Sequence, residues 1–104
     1  MGLVARWLPV TVVRHPDFEA DDVVHTVVSR SSRAVPFTIV SSDTDFIQEL
    51  EIPNVRVWDP VRDRYAEHPG YHYVTWKALR GDTGDGIPGI PGIGDVKAAR
   101  LMSD

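Results

Sequence analysis

Ala20, Val23, Val24, Val27 and Val28 recur at i, i+3, i+4, i+7 and i+8, the spacing of one face of an α-helix. The β-branched run Val23–Val28 has strand propensity, but no strict alternation is present, so the pattern predicts a helix over 17–30 with Asp17 as its N-cap. Glu19, Asp21 and Asp22 then fall in the first turn, where the helix dipole tolerates negative charge. Acidic first turns are also common in ordinary helices. Upstream, Leu3–Leu8 reads as the last turns of a helix and Pro9–Val13 as a short β-branched strand. His15-Pro16-Asp17 makes a turn, with Pro16 holding His15 extended.

Pro36–Val40 is a short apolar run and predicts a buried strand, which ends at Ser41-Ser42-Asp43-Thr44-Asp45. A short helix is expected over Phe46–Leu50, a strand over Asn54–Trp58 and a turn at Asp59-Pro60. Arg62–Gly70 reads as irregular, with a brief extension at Tyr65. Tyr73, Val74, Lys77 and Ala78 place a helix over Tyr71–Arg80, and a terminal helix begins at about Asp95. Strands alternating with helices predict an α/β fold with a parallel sheet covered by helices. In such sheets ligands gather beyond the carboxyl ends of the strands, which is where Asp43 and Asp45 lie.

A chain of 104 residues is at most one small domain, and 42% hydrophobic residues support a modest core. The absence of cysteine excludes a disulfide framework and a zinc–thiolate site, and is compatible with the expected cytoplasmic location. No apolar run approaches the roughly 20 residues of a membrane span, and Met1–Val10 lacks the layout of a signal peptide. The formal charge of -4 argues at face value against nucleic acid. Its distribution changes that picture. Three clusters, Glu19/Asp21/Asp22, Asp43/Asp45 and Asp82/Asp85, hold seven of the fifteen acids, and the other eight face eleven Lys and Arg. With the clusters neutralised by cations, the remaining surface is mildly basic.

Taken singly, each cluster is ordinary solvated surface. If they converge, like charges a few ångströms apart need a compensating cation. Hard oxygen donors select Mg²⁺ or Mn²⁺ over zinc, and two such ions about 4 Å apart suit a phosphodiester. The stretch Gly81–Gly94 adds a second kind of chemistry. Gly86, Gly89 and Gly92 recur every third residue as in collagen, but the run is short and Gly94 breaks its phase. A tight, fixed loop is the better reading. Pro91-Gly92-Ile93-Gly94, followed by Lys97, Ala98, Leu101 and Met102, has the form of a helix-hairpin-helix turn. Glycines let backbone approach a phosphate, and N–H groups at the next helix start point at the anion. Lys97 adds a point charge, and Ala98 allows close packing on the preceding helix.

Phe18-Glu19-Ala20-Asp21-Asp22, Ile39–Asp45 and Leu79–Gly94 stand in an order and spacing that resembles the 5′–3′ exonuclease and flap endonuclease family. This family includes phage 5′ nucleases and the N-terminal nuclease domain of bacterial DNA polymerase I. The resemblance runs from about Asp17 to Met102 and implies a PIN-like α/β nuclease core over 1–80, followed by a helix-3-turn-helix DNA-binding element over 81–104. It implies that Glu19, Asp21, Asp22, Asp43, Asp45, Asp82 and Asp85 line a Mg²⁺ or Mn²⁺ site, with Asp21, Asp43, Asp45 and Asp82 at the chemistry. Gly92, Ile93, Gly94 and Lys97 would hold duplex DNA, with K⁺ at the hairpin. The implied reaction is phosphodiester hydrolysis near a 5′ end or flap junction.

Family members begin with a strand carrying an aspartate, add a second aspartate, and carry a basic helical arch. These parts have no match here, and Gly86 stands where asparagine is common. The expectation is therefore a truncated or split nuclease, weakly active without a separate N-terminal fragment. The alternative is a noncatalytic DNA-binding module derived from such a nuclease. Val40–Asp45 also resembles the strand-then-Asp-x-Asp of haloacid dehalogenase-like phosphatases, but two serines intervene and Phe46 follows the second aspartate. The four histidines and three tryptophans read as surface or packing residues, and Arg62, Arg64 and Arg80 as either phosphate-facing or solvated.

Overall fold

Phe37–Val40 (β1) and Val55–Asp59 (β2) pair in parallel, with Phe37 opposite Val55 and Val40 opposite Trp58. This pairing is seen in a computed structural model that describes residues 7–103. The chain divides after Ser32 into two compact units.

In the first unit, Ala20–Arg30 forms helix α1, and Val28 on its apolar face is buried. The N-cap is Glu19 and not Asp17. His15 and Phe18 close a small antiparallel bridge, and the Asp17 amide donates to His15 Nδ1 at 3.1 Å. The turn therefore consumes Asp17, and the helix starts only after it. Pro9–Val13 is not a strand, and Val10, Val12 and Val13 are exposed. Its β-branched preference needs a paired neighbour to be realised, and no strand pairs with it among the described residues. Most of the helical end expected over Leu3–Leu8 lies outside the described residues.

In the second unit, β2 also pairs antiparallel with Arg64–Tyr65 (β3), giving a sheet of order β1-β2-β3. The sheet is mixed and not wholly parallel. The connection between β1 and β2 is long enough for a crossover, whereas a tight turn with Asp63 at φ 53° folds β3 straight back. The expected buried strand is buried on one face only. Ile39, Val55 and Val57 face the core, while Thr38, Val40 and Arg56 stay exposed. Between β1 and β2 the chain forms a 3₁₀ helix, Thr44–Glu51, packed on β2 with Phe46 buried. Burying such a side chain contributes about 1.5–3 kcal/mol.

Helix α2, Tyr73–Arg80, starts two residues later than expected because His72 caps it, its side chain accepting from the Thr75 amide at 3.3 Å. Helix α3, Asp95–Ser103, packs on α2, and its Ala98 is fully buried. The Trp76 indole N–H donates to the Asp95 carbonyl at 3.2 Å and ties the middle of α2 to the start of α3. None of the helices among the described residues is long and apolar enough to cross a membrane.

Candidate functional site

The loop after α2 is closed by two glycines. Gly81 ends the helix at φ 87°, its amide donating to the Lys77 carbonyl at 2.8 Å. Gly89, at φ 68°, crosses it so tightly that a Cβ there would lie 2.5 Å from the Arg80 carbonyl. Inside this neck Asp82 and Ile87 exchange two backbone hydrogen bonds of 2.7 and 2.8 Å. Asp82 Oδ1 accepts from the Gly84 amide at 3.0 Å and the Asp85 amide at 3.4 Å. The turn thus orients the carboxylate and leaves Oδ2 directed elsewhere.

That second oxygen lies 2.6 Å from Lys77 Nζ on the last turns of α2. The same ammonium donates to Asp45 Oδ1 and lies 3.9 Å from Asp85 Oδ2. Three carboxylates, distant in sequence, therefore converge on one cationic atom whose side chain is only 15% exposed. Partial burial works against the Lys77 charge, but the bonds to Asp45 and Asp82 outweigh it and push its pKa above the ordinary lysine value. The Lys77 hydrogen bond holds the Asp82 carboxyl below its ordinary range. The Asp82 charge, with some desolvation, pushes Asp85 up.

Asp43 is placed differently. Its carboxylate accepts from the Asp45 amide at 2.9 Å and caps the 3₁₀ helix. It lines a cleft of about 370 Å³ with Ser41, Asp59, Arg62 and Arg64. Lys77 and Asp82 line another cleft, of about 420 Å³, with Thr44, Tyr71, Trp76 and Arg80. In the first unit, carboxylate oxygens of Glu19, Asp21 and Asp22 lie within 4.8 Å of one another. Two are partly engaged: Asp22 Oδ2 accepts from the Glu19 amide and Asp21 Oδ1 from the Asp22 amide, each at 3.1 Å. The donor chemistry of both clusters is hard oxygen, suited to Mg²⁺ or Mn²⁺. In the second unit Asp45, Asp82 and Asp85 converge on the Lys77 ammonium.

At the other end of the loop, Gly92 turns the chain at φ 80° and the Ile93 amide donates to the Ile90 carbonyl at 3.0 Å. Gly92 and Gly94 are exposed, Ile93 is half-buried, and Lys97 is exposed on α3. Arg80 stacks 4.6 Å from the Trp76 ring centroid and reaches Asp95 at 3.4 Å.

Two residues escaped the sequence reading. Lys77 was legible only as a helix position, although a lysine one turn before Gly81-Asp82 is a signal that could have found it. Asp59 is buried at the end of β2, not merely a turn residue. It accepts from Ser42 Oγ at 2.8 Å, from the Val61 and Arg62 amides at 3.0 Å, and from Arg62 Nη1 at 2.6 Å. The Arg62 bonds come first in holding its carboxyl far below the ordinary range. It pins the loop carrying Asp43 to the sheet.

No protein-family profile matches the chain. Individual relatives do. The chain is 35% identical over 107 residues to a 5′–3′ exonuclease of Mycobacterium tuberculosis, covering 85% of this chain and 33% of the relative. It is 38% identical over 101 residues to the flap endonuclease Xni of Shewanella piezotolerans, covering 83% of this chain and 37% of the relative. With DNA polymerase I of Rhizobium leguminosarum it shares 36% identity over 97 residues, 84% of this chain and 9% of the relative. The chain thus spans little more than a third, or less, of the relatives it matches. The chain that carries the carboxylate motifs and the glycine loop is thus similar to part of proteins named 5′–3′ exonuclease, flap endonuclease and DNA polymerase I.

Proposed function

We propose that this chain is part of a structure-specific 5′–3′ exonuclease or flap endonuclease that hydrolyses DNA phosphodiesters with a divalent cation. The observation that carries the reading is the convergence of Asp45, Asp82 and Asp85 on a single positive charge. The carboxylates proposed to hold Mg²⁺ or Mn²⁺ are Asp43, Asp45, Asp82 and Asp85 and, as a set of their own, Glu19, Asp21 and Asp22. A divalent cation, when bound, supplies Lewis-acid stabilisation of charge at a phosphodiester. The chain's own part is orientation. The Asp82 turn fixes one carboxylate oxygen on backbone amides and turns the other towards Lys77. Asp45 is set by the 3₁₀ cap that Asp43 provides.

Residues 81–104 are proposed as a helix-3-turn-helix element on a PIN-like core formed from residues 1–80. Support comes from α2 and α3 packed around the glycine loop, with Gly92, Gly94 and Lys97 exposed at the start of α3. Backbone N–H groups there suit a phosphate, and K⁺ could share the hairpin. The partner is duplex DNA with a 5′ end or flap. As an isolated 104-residue chain it is expected to cut weakly and to gain activity from a separate fragment supplying more of the relatives' length.

A 5′-flap duplex incubated with and without Mg²⁺, alone and with such a fragment, tests the proposal. Mg²⁺-dependent cutting lost in Asp45→Asn is expected. Cutting that ignores both the cation and Asp45, or no DNA binding at low salt, would remove it.

A further inference from the structure

Resting on the reading of Asp45, Asp82 and Asp85 as cation ligands, we propose that Lys77 is a resident counter-ion which a divalent cation must displace. Lys77 Nζ is already bonded to Asp45 Oδ1, lies 2.6 Å from Asp82 Oδ2 and 3.9 Å from Asp85 Oδ2. An ammonium has three donors and no acceptor, so it satisfies these carboxylates as a point charge. Mg²⁺ needs such oxygens as direct ligands at about 2.0–2.1 Å. Two cations cannot occupy that small space together, because their repulsion adds to the loss of shared ligands.

The backbone around Lys77 is held while its side chain is not. His72 caps the start of α2, Gly81 caps its end, and the buried Tyr73 anchors the first turn. The four-carbon stem of lysine is flexible by comparison. It also has a place to move: Lys77 borders the cleft of about 420 Å³ shared with Thr44, Tyr71, Trp76 and Arg80. Binding of the cation at the carboxylates therefore releases a positive charge into an adjoining cleft. The effective affinity of the carboxylates for metal is their intrinsic affinity reduced by the fraction of time Lys77 occupies them. In the absence of metal, the same contact offsets one of the cluster's three negative charges.

The test uses the full chain. In wild type, the hydrogen-bonded Lys77 ammonium is followed by ¹⁵N NMR during Mg²⁺ titration, and its signal is expected to disappear as the site saturates. By calorimetry, Lys77→Met is expected to bind Mn²⁺ about tenfold more tightly than wild type. An ammonium signal unchanged at Mg²⁺ saturation overturns the exchange, and so does a folded Lys77→Met with equal or weaker Mn²⁺ affinity. The NMR arm needs no variant and decides the matter even where Lys77→Met fails to fold. Absence of any Mn²⁺ binding that Asp45→Asn weakens is a separate outcome. It removes the reading of the carboxylates as metal ligands, and the exchange falls with it.

Discussion

Gly81 and Gly89 cross backbone to backbone: a Cβ on Gly81 would lie 2.8 Å from the Gly89 nitrogen, and one on Gly89 would lie 2.6 Å from the Gly81 nitrogen. This crossing closes the loop that aims Asp82 at Lys77 and leads the chain towards α3. It also explains one member of the period-three glycine pattern, Gly89, by local geometry.

Gly89→Ala is expected to destabilise the second unit by about 2–4 kcal/mol. The left-handed φ of 68° adds strain, and the new methyl meets backbone that cannot move aside as a side chain would. Urea unfolding measures the loss. Gly86→Ala has a similar φ of 70° but open space around a Cβ, so it should cost less. Equal costs for the two would remove the steric explanation.

Acid stability should depend on Asp59. Its folded pKa is depressed, so the stability it contributes is present above the unfolded carboxylate value of about 4 and lost as pH falls through the folded value. Asp82 is depressed in the same direction by Lys77. Asp59→Asn is expected to lower stability at neutral pH and to flatten the pH dependence below about pH 4. Thermal melts of both proteins from neutral to acid pH check this. A constant difference at every pH would mean that Asp59 acts by packing alone.

At the alkaline end the sign reverses. Lys77 is raised, so its contribution is fully present below the ordinary lysine value and lost as pH rises through the folded one. Lys77→Met is expected to reduce metal-free stability at neutral pH, with the deficit narrowing above the ordinary lysine range. Added Mn²⁺ should recover more stability in the variant than in wild type. Denaturant melts with and without Mn²⁺ read both effects.

Lys97 offers a check on the DNA-facing end. It is exposed on α3, so Lys97→Ala should leave folding intact. Fluorescence anisotropy with duplex DNA at several salt concentrations should show weaker binding, independent of sequence, and a salt slope reduced by about 1. An unchanged slope would exclude Lys97 from phosphate contact.

The chain's own pattern determined much of this protein. Apolar spacing marked α1, short apolar runs marked β1 and β2, and turn residues marked the loop from Gly81 to Gly94. These features are local, because periodicity and turn chemistry act over a few residues. The order of the acidic and glycine motifs was enough to point to the nucleases and DNA polymerases that the chain is similar to. The tertiary structure decided what depends on partners. Val10, Val12 and Val13 are exposed because β propensity without a paired neighbour does not make a strand. Asp59 became a four-bond anchor because Ser42 and Arg62 were folded around it. Lys77 became the centre of the candidate site through contacts with Asp45, thirty-two residues away, and with Asp82 beyond the helix end. No local pattern encodes such a meeting: which charges face one another is set by packing of α2 against the 3₁₀ helix and by the closed glycine neck.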